Sequence, residues 1–137
     1  MPLELHFERN GAGAIVTGNG LVRGDEFIAI NARMYAPDNL RGLRYQLIDL
    51  TQVERQETTT AQLQICAEQD RRAAEQNPNL IVAVAGPDDL SFGLSRMWEG
   101  FVSDAPLRTR VFRSVPEART WIESMLFEDM GPPPGSR

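Results

Sequence analysis

Residues 80–85 read LIVAVA, an unbroken apolar run with Pro78 before it and Gly86-Pro87 after it. A strand with one wet face alternates apolar and polar side chains, whereas a strand covered on both faces does not. The run therefore predicts a central strand of a mostly parallel sheet with helices on both sides.

The flanking segments supply those helices. On the C-terminal side, Asp88 or Asp89 is placed to cap a helix in which Leu90, Leu94, Met97, Trp98, Phe101 and Val102 keep the 3.6-residue period. Residues 107–112 alternate as a strand. Ser114 and Glu117 then have the spacing of a capping box that opens a last helix carrying Ala118, Trp121, Ile122 and Met125. On the N-terminal side, Thr58-Thr59-Thr60 offers N-caps to a helix running to about Asn77, with Leu63, Cys66, Ala67, Ala73 and Ala74 on its apolar side. Residues 44–53 (RYQLIDLTQV) hold a strand centred on Leu47, Ile48 and Leu50. Asp25 precedes the stripe Phe27, Ile30 and Met34, which stops before Pro37. Residues 3–8 and 12–17 read as a hairpin turning at Asn10-Gly11, its second strand ending at Gly18-Asn19-Gly20. The predicted fold class is α/β: an N-terminal β-hairpin feeding a mostly parallel sheet with four helices, in the order β-β-α-β-α-β-α-β-α. A single domain is expected over residues 1–127. A tail, 128–137, is expected to be disordered because its GPPPGSR end cannot pack.

Composition narrows the chemistry. The chain has 137 residues, of which 42% are hydrophobic and 24% charged, and a formal net charge of −5. There is one His (His6), one Cys (Cys66) and no Lys, all 14 basic residues being Arg. Disulfide frameworks, His/Cys zinc sites, Schiff-base lysines and a P-loop lysine are thereby excluded, and no cofactor is called for. The arginines are scattered, so no basic footprint for nucleic acid is present. The longest apolar run is far below the ~20 residues of a membrane span, and residues 1–9 alternate instead of forming a secretory leader. With a lone thiol, the expectation is a cytoplasmic protein that does not span a membrane.

In an open α/β sheet, ligands gather beyond the carboxyl ends of the strands, where helix N-termini present unpaired N–H groups. Three connections fall there: residues 18–25, 51–60 and 86–91. They carry the carboxylates Asp25, Asp49, Glu57, Asp88 and Asp89 and the hydroxyls Thr51, Thr58, Thr59, Thr60 and Ser91. Such residues are first of all helix caps. No nucleophile with a partner base stands out: His6 lies on the polar side of the first strand, Cys66 on an apolar helix face, and GxSxG and GxGxxG are both absent. A metal-dependent hydrolase built on Asp49, Asp88 and Asp89 is the one enzyme reading available, since carboxylates alone can hold Mg²⁺. The expectation is a protein without catalytic turnover and without a metal.

The element order, together with residues 47–60 (LIDLTQVERQETTT), resembles the STAS superfamily, the domain shared by sulfate transporters and bacterial anti-sigma-factor antagonists. Asp49-Leu50-Thr51 is similar to that family's Asp-Leu-Ser, and Glu57-Thr58-Thr59-Thr60 falls on its Asp-Ser-Ser-Gly, which places Thr58 on the serine phosphorylated by a partner kinase. Pro87-Asp88-Asp89, Phe92-Gly93, Arg96-Met97-Trp98, Arg110-Val111-Phe112-Arg113 and Glu117-Ala118-Arg119-Thr120-Trp121 look like a divergent branch of stand-alone bacterial STAS-like proteins that have been compared with CRAL-TRIO lipid-binding domains. The resemblance implies a non-catalytic regulatory module with a protein partner, regulator or kinase. Thr58 and Thr59 are the candidate phosphoacceptors, and Asp49, Thr51, Glu57, Thr60, Asp88, Asp89 and Ser91 form the partner-binding edge. The alternative is a carrier or sensor of a small apolar, lipid-like ligand held by Met97, Trp98, Phe101, Trp121 and Met125. It predicts a pocket of at least ~300 Å³.

Overall fold

A computed structural model describes residues 2–86 and 88–130. Strands β1 (Leu3–Glu8) and β2 (Gly13–Arg23) form the hairpin; α1 (Gly24–Met34), a short α2 (Pro37–Leu40), β3 (Tyr45–Glu57), α3 (Thr60–Gln76), β4 (Ile81–Ala85), α4 (Asp89–Phe101), β5 (Arg108–Phe112) and α5 (Val115–Met130) follow. The strands lie side by side in chain order, β1 antiparallel to β2 and all later pairs parallel.

That order decides where the helices go. When each parallel strand is added next to the last, right-handed crossovers return on the same side of the sheet. One core accordingly joins Val16, Val22, Val82 and Val84 to Ile30 and Met34 of α1, Ala67 and Ala73 of α3, and Trp98 of α4. The alternate side chains Ile15, Tyr45, Leu47, Ile81, Ala83 and Ala85 face the opposite way and pack on Ala118 and Ile122 of α5. Every residue of β4 is buried, and β4 pairs with both β3 and β5, as LIVAVA predicts. The sheet never reverses its order, so there is no switch-point crevice of the doubly wound kind.

Several boundaries differ from the sequence reading. The second strand does not end at residue 17: Gly18-Asn19-Gly20 is a pair of register shifts inside β2, with Gly20 at φ 65°, and pairing resumes with Leu21↔Arg55, Val22↔Gln56 and Arg23↔Glu57. A β-bulge, not a strand end, is what these glycines provide. Thr51 and Glu57, expected in a loop, therefore lie within β3. Since β4 pairs only with Tyr45–Asp49, the remainder of β3 continues with β2 as a two-stranded ribbon projecting past the sheet. Pro37 at the helix start allows the extra helix α2, which raises the number of α-helices from the predicted four to five. The last helix runs beyond the expected boundary at 127, and the Asp129 carboxylate takes a two-pronged hydrogen bond from Arg108, 2.7 and 2.8 Å. The GPPPGSR segment lies outside the described residues.

The hairpin tip is tied to α5. Glu8 accepts hydrogen bonds from both guanidinium nitrogens of Arg119 at 2.7 and 3.0 Å and a third from the Tyr45 hydroxyl. These donors, Arg119 above all, hold the Glu8 carboxyl down at about 2.

Candidate functional site

Two threonines make the whole connection between β3 and α3. Thr59 is the N-cap: its hydroxyl accepts from the Gln62 amide at 3.1 Å while Gln62 Oε1 accepts from the Thr59 N–H at 2.9 Å. This reciprocal box satisfies two of the free donors of the first turn. Thr58 stands just before the cap, half-buried, and its hydroxyl donates to Gln56 Oε1 at 3.0 Å. Gln56 in turn donates through Nε2 to Ser91 Oγ at 3.2 Å. Ser91 is buried in the first turn of α4, where its N–H donates to the capping Asp88 carboxylate at 2.8 Å, a bond that lowers the Asp88 pKa. Thr58, Ser91 and Asp88 are thus brought together as expected, but through Gln56, which the sequence reading left out. Its place in a run of charged and amide residues (VERQE) gave no signal of inward orientation.

The other members of the predicted edge are dispersed. Asp49 sits inside β3 and its Oδ1 accepts from the Thr51 N–H at 2.9 Å and the Thr51 hydroxyl at 2.5 Å, a local turn-like closure. Asp89 is exposed and accepts from Arg113 at 3.0 Å. Glu57 pairs with Arg55 at 3.5 Å, and Thr60 is exposed in the first turn of α3. Among the described residues no three His, Cys, Asp or Glu side chains are grouped to hold a metal ion.

Thr58 faces two spaces. On one side is an open groove of about 530 Å³ lined by Arg23, Asp25, Gln56, Glu57, Thr58, Thr59 and Gln62. On the other is a cavity of about 80 Å³ between the sheet and α1, α3 and α4. Gln56 and Thr58 line both and separate them. The cavity walls are apolar, with Phe27, Ile48, Leu50, Val82, Val84 and Leu94, but its floor is polar: Asn31, Gln46 and Asp70.

Asp70 is the residue that sequence reasoning missed. Helix α3 turns it to the same side as Cys66, Ala67, Ala73 and Ala74, and it is buried with them. Its carboxylate accepts from the Tyr35 hydroxyl at 2.6 Å, from Trp98 Nε1 at 2.7 Å and from Asn31 Nδ2 at 3.4 Å. Burial pushes its pKa up to about 7, against the hydrogen bonds, which lower it. The neighbouring Cys66 thiol is pushed to about 12, again by burial first and by Asp70 second, which makes it a neutral filler. An acidic residue four positions after Cys66 on an apolar stripe was the available signal.

The apolar-ligand constellation does not assemble. Trp98 and Phe101 pack in the core beneath α1, α3 and α4, Trp121 and Met125 pack under α5 on the opposite face, and Met97 is exposed. Helical periodicity places residues on a face of their own helix but says nothing about which side of the sheet that helix covers. The cavity is also well below the expected ~300 Å³, and of the five residues only Trp98 lines it.

No family model and no curated protein matches the chain. Among solved structures it is similar to an uncharacterized protein of the DUF3478 family from Shewanella loihica PV-4, described as having a SpoIIAA-like fold, with a TM-score of 0.51 and 16% identity over 88% of this chain and 91% of that one. No helix among the described residues is long and apolar enough to cross a membrane. The chain has the SpoIIAA-like fold, here with a sequential sheet, a hairpin at its edge and α5 on the second face.

Proposed function

We propose that the protein is a non-catalytic regulatory module that docks a protein partner on the surface made by the β3–α3 junction and the start of α4, with Thr58 as a phosphate-accepting switch. The hydrogen-bonded run Thr58–Gln56–Ser91 carries the reading, because Gln56 joins the two halves of that surface and accepts at one end from the hydroxyl the switch would modify. The SpoIIAA-like fold supports it, as does the open groove against which Thr58 lies.

Phosphoryl transfer from ATP by a kinase would form an ester at Thr58 Oγ1 and release the hydroxyl proton and ADP. The proton now donated to Gln56 would be gone, and about −1.5 to −2 charges would appear at the mouth of α3, where the helix dipole favours them. Arg23 lines the same groove, as do Asp25 and Glu57, which repel. The net effect is to break the Thr58–Gln56 bond and make an already acidic docking surface more negative.

The experiment is a quantitative affinity capture from the source cell, comparing tagged parent with Thr58→Glu and Ser124→Glu. Ser124, exposed on α5, controls for added charge away from the surface. One partner should be retained by parent and Ser124→Glu and be depleted at least about tenfold by Thr58→Glu, a loss of about 1.4 kcal/mol. Equal retention by all three baits contradicts the reading.

A further inference from the structure

We propose that the cavity between the sheet and helices α1, α3 and α4 is a binding site for a small amphiphilic amine, its ammonium head on Asp70 and its alkyl body along Ile48, Leu50, Val82 and Val84. The site is independent of the partner surface. Among the described residues Asp70 is the only charged side chain lining the cavity, it is 4% exposed, and its donors Tyr35, Trp98 and Asn31 are all neutral. A buried carboxylate without a cation is costly.

The hydrogen-bond directions select the ligand. One proton of each of four polar groups in the lining is placed: Gln46 Nε2 donates to the Tyr35 hydroxyl at 2.6 Å, Asn31 Nδ2 to Asp70, the Ser95 hydroxyl to the Ser91 carbonyl at 2.7 Å and the Thr58 hydroxyl to Gln56 at 3.0 Å. A carboxylate has roughly four acceptor sites, of which three donors fill three. Asp70 therefore keeps about one acceptor site and has no cation among its partners, and the group that complements it is a donor with positive charge. An ammonium offers three N–H groups. A carboxylate or phosphate head would meet Asp70 as a like charge. One water needs roughly 10–15 Å³ by this measure, so 80 Å³ admits about six atoms of that size, a short alkylamine.

The titratable groups facing Asp70 are the hydroxyl of Tyr35, just after α1, and the Cys66 thiol on its own helix, both held neutral; α1 contributes Asn31, α4 Trp98 and β3 Gln46, which do not titrate. Only Asp70 changes charge near neutrality, its pKa lying at about 7.

The test is calorimetric titration of the intact protein with n-pentylamine, n-pentanol and n-pentanoate at about pH 8, with the amine repeated at about pH 6. The amine should bind at least about tenfold tighter than the alcohol, the carboxylate should give no saturable heat, and amine affinity should fall about tenfold on going to the lower pH as Asp70 is protonated. Asp70→Asn should erase the preference for amine over alcohol. Should that variant fail to fold, the pH series on the parent and Leu94→Trp, which narrows the cavity from α4 and should weaken the amine, decide alone. Equal affinity for amine and alcohol, preference for pentanoate, or no saturable amine binding below about 10 mM overturns the proposal.

Discussion

The indole N–H of Trp98 donates to the buried carboxylate of Asp70 across 2.7 Å, tying α4 to α3 inside the core. Asn31 of α1 reaches the same carboxylate at 3.4 Å and Tyr35, the residue that caps α1, at 2.6 Å, and Gln46 of β3 reaches it through Tyr35. Helices that share one face of the sheet are thus held together by a single acidic side chain. Trp98→Phe keeps most of the buried aromatic surface and removes the donor. It should cost about 1–3 kcal/mol in urea unfolding, because the carboxylate is left with an unsatisfied site in a low-dielectric surround.

The pH dependence of stability follows from the same residue. The Asp70 pKa is raised from 3.8 to about 7 on folding, so between those values the folded chain binds more protons than the unfolded one. Stability from this group is fully present below the unfolded value and declines as pH rises toward the folded one, levelling off above it. Thermal melts at a series of pH values should show Tm falling from about pH 5 to about pH 7.5, and Asp70→Asn should flatten that slope.

Glu8 acts with the opposite sign. Its pKa is lowered from 4.5 to about 2, chiefly by Arg119, so its contribution is present above the unfolded value and is lost as pH falls through the folded one. Arg119→Met should remove on the order of 1–2 kcal/mol of stability at neutral pH, after screening at this partly exposed pair is allowed for, and much less at about pH 2. Equilibrium denaturation at both pH values measures the difference.

How much of this was legible in the residues differs by level. LIVAVA placed β4 inside the sheet, between β3 and β5, because burial on both faces erases alternation, and the Thr59 and Asp88 caps followed from side chains that satisfy first-turn donors. The ends of β2 and β3 were not legible: Gly18 and Gly20 serve as a bulge only because β3 lies alongside, and Glu54, Arg55 and Glu57 are charged because the ribbon they form is solvated. Of the site, Thr58, Asp88 and Ser91 were named, whereas Gln56 and Asp70 were not. Both are polar residues whose inward orientation depends on partners from distant elements, Ser91 for one and Tyr35 with Trp98 for the other.

Gln56→Ala tests whether the run across the surface is a mechanical link. Loss of the Ser91 contact should cost about 0.5–1.5 kcal/mol. Amide hydrogen exchange should accelerate in the first turn of α4 and at Thr58–Thr59, while β4 stays protected.

The most direct test of the regulatory reading is phosphosite mapping after the purified protein is incubated with ATP and an extract of its source cell. The account predicts phosphate on Thr58, absent from the Thr58→Ala variant under the same conditions. Phosphate found on none of Thr58, Thr59 and Thr60, in an extract shown to phosphorylate other proteins, would contradict it.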